Sequence, residues 1–137
     1  MKTRVIILAT ALILMGLTLT FGQSSYNSGE TQITKEAVNN YLKGLKSDNH
    51  GLRLSCAYFL GEYGISEGMV PLMNMLHNEK TESGRIMAAL ALTKLGSEMS
   101  IYAVKQASKF DKSERVRNLC IKFYNGYVVA QNIKSSM

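Results

Sequence analysis

No tryptophan, one proline, two histidines and two cysteines occur among the 137 residues. Each shortage narrows what the chain can be. His50 and His77 are the only imidazoles, and neither stands in an HxxxH or near a CxxC spacing. A metal centre needs three or four converging ligands, so the residues offer no metal site and both histidines are expected at exposed turns. The letters GxSxG occur once, at Gly64–Gly68, but between two helical patterns rather than on a strand-to-helix turn, so no nucleophile elbow is expected there, and there is no glycine-rich phosphate loop. Neither nucleophilic catalysis nor nucleotide chemistry therefore has a candidate, and no cofactor is expected. Basic residues are not clustered: the densest patch, "KSERVR", also contains Glu114. That is poor support for nucleic-acid binding. A single proline with 46% hydrophobic residues suits an ordered, helix-rich chain rather than a disordered one.

The N-terminus is the first positive statement. "MKTR" is followed by the uncharged run "VIILATALILMGLTLT", and Thr20 and Gly22 stand three and one positions before Gln23. Charged head, apolar stretch and small residues before a cut are the three parts of a secretory signal peptide, expected over residues 1–22. An uncleaved anchor is the alternative, because residues 5–22 are nearly long enough to cross a bilayer at ~20 residues. No basic cluster follows to stop transfer, which favours cleavage and export to a bacterial-type periplasm or the exterior. Contact with the membrane would then be transient, through the signal alone. Loss of Lys2 and Arg4 leaves 14 basic against 10 acidic residues, a net charge of +4. That mild excess favours anionic partners weakly.

Residues 23–33 are polar and without period, so a flexible linker is expected there. Beyond it, helical patterns alternate with turns over 34–131, and 132–137 reads as a tail. Val38, Tyr41, Leu42 and Leu45 mark one face of a first helix, with Thr34 as its N-cap. Leu52, Cys56, Phe59, Leu60 and Tyr63 mark a second, ending at Gly64 in the manner of a left-handed cap. A second pair starts with Ser66 as cap and Pro71 near the helix start, where a kink is tolerable. Met69, Leu72, Met73 and Leu76 form its buried face, and the remaining methionines are read as adaptable core. A third pair follows, its last helix the longest.

The second helices are copies of one another. "LRLSCAYFLGEYG", "GRIMAALALTKLG" and "VRNLCIKFYNGYV" superpose at a shift of 32 residues. Arg53, Arg85 and Arg117 coincide, as do Cys56, Ala88 and Cys120, then Ala57, Ala89 and Ile121, then Leu60, Leu92 and Tyr124. Gly64 and Gly96 match, whereas Val128 replaces the glycine in the third copy. A period in the low thirties filled by two antiparallel helices points to an α-solenoid, with units at about 34–64, 65–96 and 97–131. One helix pair cannot bury its apolar face alone, and stacking pairs supplies the shared core. At a helix spacing of ~8–10 Å, Cys56 and Cys120 stand two repeats apart, well beyond the ~7 Å that a disulfide spans.

The pattern hydrophobic–Arg–x–x–small–small–x–x–Leu–Gly resembles the HEAT repeat, in the short variety of phycobilisome-lyase-type proteins. The likeness covers about residues 35–130 and weakens at Tyr124, Asn125 and Val128, as in a terminal cap. It implies an all-α, short right-handed solenoid of three HEAT-like (armadillo-like) helix pairs. It also implies that Arg53, Arg85 and Arg117 form a structural ladder with acidic residues of the turns, Asp48, Glu79 and Asp111. Second helices of such solenoids line the concave side. Their outward positions give a partner-binding stripe of Tyr58, Glu62, Ile86, Leu90, Lys94 and Lys122, accompanied by Leu54 and Asn118. Aromatic and aliphatic anchors with charged rims are what binding patches look like. The expectation is an exported, non-catalytic, monomeric scaffold that binds a protein or peptide. Two alternatives stay open: an accessory or lyase-like protein for a chromophore, and a binder of anionic polymer or membrane surface.

Overall fold

The computed structural model describes residues 33–137. The expected signal, 1–22, and all but the last residue of the expected linker lie outside the described residues. Six α-helices follow one another, with no strand among the described residues. They are α1 (Lys35–Gly44), α2 (His50–Glu62), α3 (Met69–Asn78), α4 (Glu82–Leu95), α5 (Glu98–Phe110) and α6 (Glu114–Ser135). None of them is long and apolar enough to cross a membrane.

Local chemistry sets the boundaries. Thr34, Asn49, Thr81, Ser97 and Ser113 each precede a helix in extended conformation and accept a backbone amide three residues on with a side-chain oxygen. Each such cap satisfies one of the amides a helix start leaves without a partner. The exception is α3. Ser66 was expected to cap it, but Ser66–Gly68 forms a single 3-10 turn and the α-helix begins at Met69. The Ser66 hydroxyl instead donates to Glu67 Oε2 at 3.1 Å. Pro71 is thus the third residue of α3, where its missing N–H is one that would lack a partner anyway. Gly64 and Gly96 close α2 and α4 with φ of +62° and +64°, the left-handed region that a Cβ disfavours. Val128 holds the equivalent place in α6, where no reversal occurs, and the helix runs on to Ser135. The tail expected from residue 132 is therefore largely helix.

Helices pack in sequence-adjacent pairs, α1 with α2, α3 with α4 and α5 with α6. The second helices also stack on one another, α2 on α4 and α4 on α6, and α4 touches four neighbours. The core runs through this stack. Ala57, Leu60, Leu72, Ala88, Ala89, Leu92, Val104, Val116 and Cys120 are completely buried. Close approach of two backbones is enforced at Gly61, where an added Cβ would lie 2.6 Å from Ala91 Cα. Two expected inward residues of α2 face outward instead. Leu52 and Tyr63 are 47% and 46% exposed, because α2 turns Cys56, Ala57, Leu60 and Gly61 inward. Tyr63 is stacked with Phe59 at 5.8 Å and with Tyr41 at 6.4 Å, a small aromatic cluster between α1 and α2. Cys56 and Cys120 are both buried free thiols, and burial raises the Cys120 pKa to about 11.

An arginine ladder and a face across three helices

The arginines that recur at 32-residue intervals all lie in the first turns of second helices, where the caps Asn49, Thr81 and Ser113 position them. Arg53 and Arg85 share one pattern of bonds, to which Arg53 adds a contact of Nη2 with His50 Nδ1 at 3.4 Å. Arg53 donates through Nε and Nη2 to Glu79 at 2.9 and 3.1 Å, and Arg85 donates through the same atoms to Asp111 at 2.8 and 3.1 Å. In each case the carboxylate comes from the turn of the following pair. The third nitrogen turns back to its own turn: Arg53 Nη1 to the Ser47 and Asp48 carbonyls, Arg85 Nη1 to those of Glu79 and Lys80. One guanidinium thus closes its own turn and ties it to the next. Bidentate, charge-assisted geometry of this kind gives directional strength that an isolated surface pair lacks.

The pair in the middle is the drier one. The Arg85 and Asp111 side chains are 3% and 7% exposed, against 19% and 8% for Arg53 and Glu79. Burial pushes the Asp111 carboxyl up, but the Arg85 fork, the Ser113 amide and the charges of Arg85 and Lys112 together hold it below the usual carboxylate range. For Glu79 the Arg53 fork dominates over burial, and its pKa is lowered as well.

The Asp48 carboxylate forms no ion pair with Arg53; only its carbonyl joins the ladder. The acidic side chains that work, Glu79 and Asp111, stand six residues before the local arginine and also accept the amide two residues on. In the first pair that position is Ser47, whose hydroxyl accepts the Asn49 amide at 3.1 Å. Asp48 falls one place later, level with Lys80 and Lys112, and is exposed. Counting back from the arginine would have separated these positions in the sequence. Arg117 retains only the inward contact, Nη1 to the Asp111 carbonyl at 2.6 Å.

The outward positions of α2, α4 and α6 behave unevenly. Tyr58, Glu62 and Lys94 come together: Lys94 Nζ forms an ion pair with Glu62 and lies 5.4 Å from the Tyr58 ring centroid. Pairing with Lys94 lowers the Glu62 pKa against burial, and pairing with Glu62 raises that of Lys94. The 32-residue offset between Glu62 and Lys94 is the repeat itself, so this bond crosses from α2 to α4. Ile86 and Leu90 are half-buried on α4, and Leu54 is half-buried on α2. Tyr58 is 39% exposed. Lys122 does not join the trio. It lines a shallow open groove with Asn118, Glu82 and Arg115, and makes no ion pair among the described residues.

Other features were not anticipated. His50 is not simply an exposed turn residue: it opens α2, half-buried, with Nε2 3.1 Å from Ser83 Oγ. Lys105 Nζ sits 5.2 Å from the Tyr124 ring, a cation–π contact joining α5 to α6. The Tyr127 hydroxyl donates to the Gly96 carbonyl at 3.0 Å and fastens α6 to the end of α4. Between α3 and α5 an open cleft of about 520 Å3 is lined by Met73, Leu76, Ala107 and Phe110, with His77 and Lys112 among its polar residues. Among the described residues no three His, Cys, Asp or Glu side chains are grouped so as to hold a metal ion.

The described residues thus define an all-helical protein of sequentially paired helices, compatible with a helical-repeat architecture. No protein-family model matches the chain, and no curated protein matches it in sequence.

Proposed function

We propose that the chain is an exported, non-catalytic HEAT-like repeat protein, a short solenoid that binds another protein or peptide across its second helices. The observation that carries this reading is the continuity of one face over the stack. Equivalent positions 32 residues apart meet there, and the Glu62–Lys94 pair and the Lys94–Tyr58 contact hold an exposed aromatic ring in place. A ring held by its neighbours loses little freedom on binding, which is the property of an interface anchor. Tyr58, Ile86 and Leu90 supply the apolar contacts, while Glu62, Lys94 and Lys122 supply the charged rim. The solenoid reading is supported by the shared carboxylate and carbonyl bonding of Arg53 and Arg85 and by direct packing between successive second helices.

Crosslinking in the envelope fraction followed by mass spectrometry tests the proposal. A specific protein should be held by the wild-type chain and lost from Tyr58→Ala and Leu90→Ala variants that melt normally. Capture that survives both substitutions refutes this face as the site. Capture that collapses with added salt but ignores both substitutions supports binding of an anionic polymer or membrane surface instead.

A further inference from the structure

On α6, the last of the described helices, one bond of the ladder is left to make. In the first two pairs, the arginine that closes its own turn also receives a carboxylate from the next turn on Nε and Nη2. Arg117 is held in the same way from behind: its Nη1 donates to the carbonyl six residues earlier, as Arg53 Nη1 does to Ser47 and Arg85 Nη1 to Glu79. Its remaining edge forms no ion pair among the described residues. The apolar slot beside it is also uncovered. Ala57 and Ala89 are fully buried, whereas Ile121, their counterpart, is 43% exposed. Val128 continues the same face of α6 and is 36% exposed. The helix carries Arg115, Arg117, Lys122 and Lys134 against a single acid, Glu114.

We propose that this end of the stack is a second binding surface, which takes an acidic amphipathic helix of a partner protein. A partner carboxylate would engage Arg117 Nε and Nη2 as Asp111 engages Arg85, with partner aliphatic side chains over Ile121 and Val128. A second copy of this chain fits less well. Its first turn offers the hydroxyl of Ser47 in the position where Glu79 and Asp111 offer carboxylates. The surface shares only Lys122 with the proposed Tyr58–Leu90 face and does not depend on it.

The experiment uses the full chain with 15N-labelled arginine and a synthetic helical peptide of Glu, Leu and Ala as probe. Nuclear magnetic resonance follows the Nε–H signals of Arg53, Arg85 and Arg117 during titration. The Arg117 signal should move while the other two stay. Arg117→Gln should weaken peptide binding about tenfold, in keeping with loss of a charge-assisted fork, and Arg115→Gln much less. Ile121→Glu leaves the arginine intact and should weaken binding similarly, which covers the case in which Arg117→Gln fails to fold. Replacing the peptide's Glu by Gln should have the same effect. Three results overturn the proposal: an unmoved Arg117 signal, equal losses from Arg115→Gln and Arg117→Gln, or an Arg117 signal that shifts with protein concentration alone. The last would assign the end to a second copy.

Discussion

Asp111→Asn is the sharpest test of what holds the helix pairs together. The substitution keeps size and shape but removes the charge that faces Arg85, a side chain only 3% exposed. Arg85 cannot follow by losing its proton, and it cannot swing into water without releasing the carbonyls of Glu79 and Lys80. Removing one partner from a buried ion pair costs about 3–5 kcal/mol, because the other charge is left without compensation. An amide oxygen still accepts one N–H from the fork, so the lower end, about 3 kcal/mol, is expected. In a domain of this size that lowers the melting temperature by roughly 10–20 °C. Calorimetry or circular dichroism on wild type, Asp111→Asn, Arg85→Met and the double variant gives the coupling directly. The double variant should be less damaged than the sum of the singles by more than ~1 kcal/mol. A loss below ~1 kcal/mol for Asp111→Asn, or strict additivity, would show that the pair does not tie α4 to the turn before α6.

The same carboxylates predict a response to acid. Asp111 and Glu79 have folded pKa values below their ordinary ones, so their contribution is complete above the unfolded values near ~4 and is lost as pH falls through the folded values. Melting temperature should therefore drop below about pH 4, and less steeply in Asp111→Asn; a curve of unchanged slope refutes the assignment. Gly61→Ala should destabilise by about 1–3 kcal/mol despite the better helix propensity of alanine, since the new Cβ meets the Ala91 backbone at 2.6 Å. A stabilised variant would mean that α2 and α4 are not in this contact. Ala89→Leu, filling a fully buried position of α4, should cost about 1–3 kcal/mol in denaturant unfolding. Unchanged stability would remove Ala89 from the core.

Much of the fold was legible because it is local. Period, caps and terminal glycines act within one or two turns of helix, so the sequence alone determined six helices in three pairs, the left-handed ends at Gly64 and Gly96, and the small residues of the stack. It also marked Arg53, Arg85 and Arg117 as equivalent. Partner choice was not local. Whether an arginine takes its carboxylate from its own turn or from the next depends on how residues 26 apart are brought level, and only packing decides that. So Glu79 rather than Asp48 faces Arg53, and Ser47 occupies the place where an acid was expected. Exposure was decided the same way. Ile121 repeats the register of Ala57 and Ala89, yet it is open where they are buried, because no helix among the described residues stacks beyond α6. Tyr58, Glu62 and Lys94 meet for the converse reason: stacking places residues one repeat apart side by side, while Lys122, on the last helix, stays out of their cluster.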